Sequence, residues 1–222
     1  MSALVLVRHA ESQWNARGLL TGWGDPPLTR RGRAQAAAAG RHLAAGGAGF
    51  DVVHTSALSR AQESAALICA ATGGTDLTIH SDWRLNERHL GALEGLSKAE
   101  VSQLFGNPAR RRWRDDPRAL PPPLDPGDPR HPRRDPRYAC LADRQLPNGE
   151  DADAAGRRAL AAWHDAIVAD LRAGRRVLVV AHQGPLGALA GHLGSRGGTR
   201  MANAEVLIVD LALAPACCGL PG

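Results

Sequence analysis

The sequence predicts an α/β protein: a single three-layer domain with a mostly parallel central sheet and helices on both faces. Two observations carry this. Short runs of strand length, "ALVLVR", "DVVHTS" and "RRVLVVAH", alternate with segments whose apolar residues recur at helical spacing. Such a βαβα order pairs its strands in parallel and covers both faces with helices. The length, 222 residues with 44% hydrophobic side chains, suffices for one sizeable core.

Each element follows from its residues. Ala3 to Val7 form an apolar run that ends in Arg8-His9. "LTRRGRAQAAAAGRHLAAGG" is a helix, with Thr29 as N-cap and Gly46-Gly47 as its stop. "FDVVHTS" is a strand, and "LSRAQESAALICAATGG" is a helix with Leu58, Ala61, Ala65 and Ile68 on one face. "DLTIHS" is a third strand. After residue 150 the pattern resumes. "EDADAAGRRALAAWHDAIVADLRAG" is a long helix, "RRVLVVAH" a strand, "GPLGALAGHLG" a helix and "AEVLIVDLAL" the closing strand. The whole of 1–222 is expected to be one domain.

The middle is different. Nine of the fifteen prolines lie between Pro108 and Pro136. Such a run is not expected to form a regular helix or a central strand. A long insertion of this kind in a compact domain is usually functional, so residues of about 106–147 are read as a Pro/Arg-rich lid. Nine arginines against five aspartates between Arg110 and Arg137 hold four of the five net positive charges. Trp113 and Tyr138 are the only aromatics there, too few for the stacking by which single strands of nucleic acid are bound. No nucleic-acid module is recognisable. The charge suits a small anionic substrate, over which the lid would close.

No run of roughly 18 apolar residues is present, so no membrane span is predicted. The N-terminus shows no secretory signal, and a cytoplasmic protein is expected. Cys69, Cys140, Cys217 and Cys218 have no CxxC spacing and read as reduced thiols. No metal-ligand spacing is visible.

Candidate chemistry gathers at the strand ends, where open α/β sheets bind ligands. His9 follows the first strand as His182 follows "VLVVA", with Gly184 close behind. Arg60 opens the helix after "DVVHTS", and "RLNERHLG" offers Glu87 and Arg88. Arg8, His9, Arg60, Glu87, Arg88 and His182 would thus converge from four connections. His42, His54, His80, His131, His164 and His192 lack such neighbours and read as structural or solvated; His89 is intermediate.

The stretches "LVRHAESQWN", "LTGWGDPPLTRRG", "TSALSRAQES", "RLNERHLGALEGLSKAE", "DPRYA" and "VLVVAHQGPLGALAG" resemble the cofactor-dependent phosphoglycerate mutases of the histidine phosphatase superfamily. The likeness runs from residue 4 to about residue 211. It implies a phosphoglycerate mutase-like fold and phosphoryl transfer through phosphorylated His9. Arg8, Arg60 and His182 would grip the phosphoryl oxygens, and Glu87 would be general acid and base. Asn15, Thr21, Gly22, Arg88, Lys98, Arg114, Gln183 and Gly184 would bind the substrate, a small phosphorylated acid or sugar. The resemblance further implies 2,3-bisphosphoglycerate as phosphoryl primer, no metal, and a homodimer or homotetramer.

Several positions depart from the mutase pattern. Leu90 stands in place of a tyrosine, and Asp115 in place of the second arginine of a pair, where its charge would weaken the hold on a bisphosphorylated acid. His182-Gln183-Gly184-Pro185 replaces His-Gly-Asn-Ser, "LPNGED" replaces "LPLTES", and "ANAE" precedes the last strand. These features lean towards the phosphatases of the superfamily. The chain also ends soon after the closing strand, where mutases commonly carry a longer basic tail that shields the site. A shielded phosphohistidine returns its phosphoryl group to a bound acceptor, whereas a wet one is hydrolysed. A diverged mutase or phosphatase, an ordinary glycolytic mutase and a non-catalytic phosphate-binding protein are the readings left open.

Overall fold

The computed structural model describes residues 3–74, 77–195 and 201–209. They fold as one α/β domain around a five-stranded sheet of order β3-β2-β4-β1-β5. β1 (Ala3–Arg8) leads through the short α1 (Gln13–Ala16) to α2 (Arg30–Ala45). β2 (Val52–Thr55), α3 (Ser59–Ala71) and β3 (Ile79–Ser81) follow. α4 (Lys98–Asp115) leads into the insertion, and α5 (Ala152–Ala162) and α6 (Val168–Arg172) lead out of it. β4 (Arg176–Ala181), α7 (Gln183–His192) and β5 (Val206–Val209) complete the order. β1, β2, β3 and β4 pair in parallel; β5 joins β1 antiparallel.

Alternation along buried strands builds two cores. Leu4, Leu6, Val177, Val179 and Ala181 face Trp163, Ile167, Leu171, Leu186 and Leu189 on one side. Val5, Val7, Leu178 and Val180 face Ala39, Leu43, Ala65 and Ile68 on the other. The chain leaves β1 towards α2 on the second face and leaves β4 towards α7 on the first. Adjacent parallel strands whose helices depart to opposite faces define a topological switch point, and a crevice opens there.

Thr29 caps α2 as expected, accepting from the Gly32 N–H at 2.9 Å. The long helix after residue 150 is interrupted by a π-turn, Trp163–Ile167, which carries the buried Trp163. The expected non-helical insertion is corrected at its start. Gly106 (φ +81°) kinks α4, and Pro108 then sits in the first turn of a second helical run. There its missing N–H costs nothing, so the proline opens a helix instead of breaking one.

From Pro117 onward the segment is irregular, with short 3₁₀ turns, yet it is pinned to the body. Tyr138 is 3% exposed, packs 5.0 Å from Trp23, and its hydroxyl accepts from Asn86 Nδ2 at 2.8 Å. Arg137 donates to Asp25 and to the Ala57 carbonyl. Some of its arginines are paired within the segment: Arg130 with Asp128, Arg137 with Asp135 and Arg133 with Asp143. Among the described residues, no helix is long and apolar enough to cross a membrane. Cys69 and Cys140 are free thiols, whereas Cys217, Cys218, the end of the closing strand and the tail lie outside the described residues.

Candidate active site

The switch point places two imidazoles side by side. β1 and β4 run in register, Arg8 against Ala181, and the His9 N–H donates to the Ala181 carbonyl at 2.9 Å. The His9 and His182 ring centroids stand 4.8 Å apart, with 3% and 0% of each residue exposed. His9 Nδ1 lies 2.7 Å from the Ala10 carbonyl oxygen. A carbonyl can only accept, so Nδ1 carries the proton and Nε2 the lone pair. Burial first, then the charges of Arg60 and Arg8, hold His9 well below the usual imidazole range. It is thus neutral at pH 7. His182 is lowered for similar reasons, burial first and then Arg60 and His9. Its Nε2 lies 2.7 Å from Ser56 Oγ, and its buried Nδ1 has no partner among the described residues.

Arg60, fully buried near the start of α3, is aimed by backbone carbonyls. Nη1 donates to Gly24 O at 2.7 Å and Nη2 to Gly22 O at 2.8 Å. Asp25, 3.8 Å from Nη1, also caps α3 by accepting from the Ser59 N–H and hydroxyl. Burial brings the guanidinium down to about 10, so it stays cationic at neutral pH. Arg8, at the end of β1, donates to the Met201 carbonyl at 2.7 Å.

Glu87 is held by its backbone and by one oxygen. Its carbonyl accepts from Trp23 Nε1 at 2.6 Å and from Arg158 Nη2 at 3.0 Å. Arg158 in turn pairs with Glu150 at 2.6 Å, both side chains being nearly buried. Glu87 Oε1 accepts from the Arg88 N–H at 2.9 Å and from the Gly184 N–H at 3.1 Å, in the first turn of α7. Among the described residues Oε2 accepts no hydrogen bond. A Cβ on Gly184 would stand 2.6 Å from Oε1. Gly184→Ala should therefore push the carboxylate out of place and lower kcat severalfold with little change in thermal stability, which turnover and melting curves together would check.

These residues line a cleft of about 760 Å³ that also includes Asn15, Thr21, Gly22, Arg88, Arg114, Gln183 and Gly184. His182 lies buried beside His9. Lys98 is the exception to the expected set. It lines an adjoining pocket of about 170 Å³, shared with Leu20, Arg88, Leu90 and Arg114. Asp115 is a second correction. It is exposed and outside the cleft lining, and it grips Arg114 bidentately at 2.6 and 2.8 Å. Arg114 itself lines the cleft. Arg88 makes no ion pair with Glu87; its guanidinium donates to the Trp113 carbonyl at 3.3 Å.

Sequence reasoning missed Ser56, Arg158, Glu94 and Asn203. Ser56 follows β2 as His9 follows β1, a signal that could have found it. Asn203, which donates to the His9 carbonyl at 3.1 Å, sits in the loop read only as a departure from the mutase pattern. His89 is fully buried, and its Nδ1 accepts from the Gly91 N–H at 3.0 Å. Among the described residues no group of three or more His, Cys, Asp or Glu could hold a metal ion.

A doubly wound sheet whose switch point holds two neutral imidazoles, ringed by arginines and one carboxylate, is the layout of an enzyme of phosphate esters. The model of the histidine phosphatase superfamily (branch 1) matches residues 4–134 and 129–212. Two relatives, from Nitratidesulfovibrio vulgaris (strain DSM 19637 / Miyazaki F) and Thermobifida fusca (strain YX), are both called 2,3-bisphosphoglycerate-dependent phosphoglycerate mutase. They are 45% and 46% identical over 193 residues, 87% of this chain and 78% of each relative. Among solved structures, a mycobacterial glucosyl-3-phosphoglycerate phosphatase is 26% identical, with a TM-score of 0.70 over 94% of this chain and 92% of that one. A phosphoglycerate mutase from Bacillus anthracis shares the fold, at 21% identity and a TM-score of 0.70 over 93% and 86% of the two chains. The chain belongs to the histidine phosphatase superfamily, branch 1. It is an enzyme of this phosphoglycerate mutase-like family, whose members are mutases and phosphatases acting through a phosphohistidine on small phosphorylated metabolites.

Proposed function

We propose that His9 is the phosphorylated residue and that the substrate is a small phosphorylated acid. The observation that carries this is the His9 Nε2 lone pair in a cleft lined by Arg8 and Arg60. Nε2 attacks phosphorus, and the ester P–O bond breaks in line. Arg8 and Arg60 neutralise the equatorial oxygens, and His182, accepting from Ser56 at Nε2, offers its Nδ1–H to one of them. Glu87, as the acid, gives its proton to the leaving alkoxide. It then takes a proton from the accepting hydroxyl, which attacks phosphorus and frees His9. Asn15, Thr21 and Gly22 line the phosphoryl end, while Arg88, Gln183 and Gly184 flank Glu87. The reading includes a cytoplasmic location, where the charge of phosphorylated metabolites retains them, and the homodimeric or homotetrameric assembly that the family resemblance implies.

The primer 2,3-bisphosphoglycerate, part of the relatives' names, fits this cleft only in part. Its first phosphoryl group finds the His9 grip. Its second would meet Arg88 and Arg114, but the Arg114 guanidinium is held by Asp115, and Lys98 lies in the adjoining pocket. This favours a monophosphorylated substrate. A panel of phosphorylated acids and sugars, with released phosphate and isomerised product measured separately, tests it. Asp115→Arg should free Arg114 and improve priming by 2,3-bisphosphoglycerate by about tenfold or more, the scale of one restored exposed charge contact and one removed repulsion. A wild type that is primed efficiently and interconverts 3- and 2-phosphoglycerate rapidly would identify an ordinary phosphoglycerate mutase instead.

A further inference from the structure

Glu94 takes no part in the steps above, yet it is 3% exposed and lies beneath the cleft, with both carboxylate oxygens occupied. Oε1 accepts from the Trp23 N–H at 2.8 Å and the Leu90 N–H at 3.0 Å; Oε2 accepts from the Gly24 N–H at 3.1 Å. The carbonyls of the same short segment, Gly22 and Gly24, are those that Arg60 holds. Residues 22–24 are thus clamped through their N–H groups by Glu94 and through their carbonyls by Arg60. The fit is close: at Gly22 (φ +52°) a Cβ would stand 2.1 Å from Glu94 Oε1.

We propose that Glu94 is a positioning residue, which through residues 22–24 sets where the Arg60 guanidinium meets the phosphoryl group. The proposal rests on the phosphoryl-transfer reading of the cleft. Two carbonyls hold the Arg60 guanidinium, and Glu94 holds the N–H side of the same backbone at Trp23 and at Gly24, whose N–H it shares with the Thr21 carbonyl at 3.0 Å. A neutral side chain would leave at least one of the three N–H groups facing a poor acceptor.

The groups facing Glu94 allow it to titrate. Arg60 approaches from α3, and Arg130 of the insertion donates to the Glu94 carbonyl at 2.9 Å. His89 Nδ1 lies 3.6 Å from Oε1, but it is an acceptor, and burial holds this imidazole down at about 3, so the contact is not an ion pair. Burial pushes the Glu94 carboxyl up to about 7, against the pull of three N–H groups and Arg60. As pH falls through about 7 the acid form appears, and its hydroxyl proton confronts an N–H donor. Anion binding and kcat/KM should therefore fall on the acid side and rise towards pH 8.

The test uses the full chain, an aryl phosphate whose second ionisation lies below that of Glu94, and inorganic sulfate, a dianion throughout the range, as competitive inhibitor. Glu94→Gln should lower kcat/KM at pH 8 by roughly 10- to 100-fold, the range common for residues that support a liganding side chain. It should weaken sulfate inhibition in parallel and remove the acid limb near pH 7. In an Arg60→Lys background the same substitution should cost much less, because its route runs through Arg60. An undiminished cost there, or an unchanged pH profile in Glu94→Gln, overturns the proposal. The wild type alone also tests it: sulfate affinity that is flat from pH 6 to 8 overturns it without any variant. A wild type that neither binds sulfate nor cleaves the ester overturns the phosphoryl-transfer reading itself.

Discussion

His9→Ala should abolish turnover, with a loss of roughly 10⁶-fold in kcat, the order seen when a nucleophile is removed. The wild type, quenched soon after mixing with substrate, should carry an acid-labile phosphoryl group on His9, and the variant none. His164→Ala, on an exposed residue, should leave turnover unchanged. Label on any residue other than His9 would sink the assignment. The depressed titration of His9 adds a pH expectation. A lowered imidazole is neutral, and so nucleophilic, at pH values where an ordinary histidine is already protonated. The acid limb of kcat/KM should accordingly not report His9. If Glu94 has the role proposed for it, the limb near pH 7 belongs to that carboxyl.

The second large effect is expected at Glu87. Glu87→Gln keeps an oxygen for the Arg88 and Gly184 N–H groups, so the site should keep its shape. What disappears is the proton for the leaving group. Alkyl phosphates, which leave as poor alkoxides, should then lose about 10²- to 10⁴-fold in kcat, while aryl phosphates lose far less. A series of esters graded by leaving-group acidity, measured on both enzymes, gives the result directly. Parallel losses across the series would mean that Glu87 orients the cleft and moves no proton.

Much of this protein was legible in the linear chain. Apolar runs that end in Arg8-His9 and Ala181-His182 placed both imidazoles at strand ends, and helical spacing between the runs implied a parallel sheet. Parallel strands put all their carboxyl ends on one edge, so residues far apart in sequence could be expected at one crevice. The helix capped by Thr29 and the convergence of Arg60 and Glu87 were read on the same grounds, because caps and strand ends are local.

Tertiary structure decided what depends on partners distant in sequence. The Ala10 carbonyl settles the tautomer of His9, and the Gly22 and Gly24 carbonyls aim Arg60; backbone acceptors leave no trace in residue identity. The insertion looked like a free cationic lid because composition counts charges without pairing them. The structure pairs Arg130 with Asp128 and Arg137 with Asp135 and buries Tyr138 against the body. Asp115 was placed in the cleft by its position in the chain, whereas the helix directs it at Arg114. Glu94 is the clearest case. In sequence it is one carboxylate among many, and only burial against three N–H groups makes it part of the site.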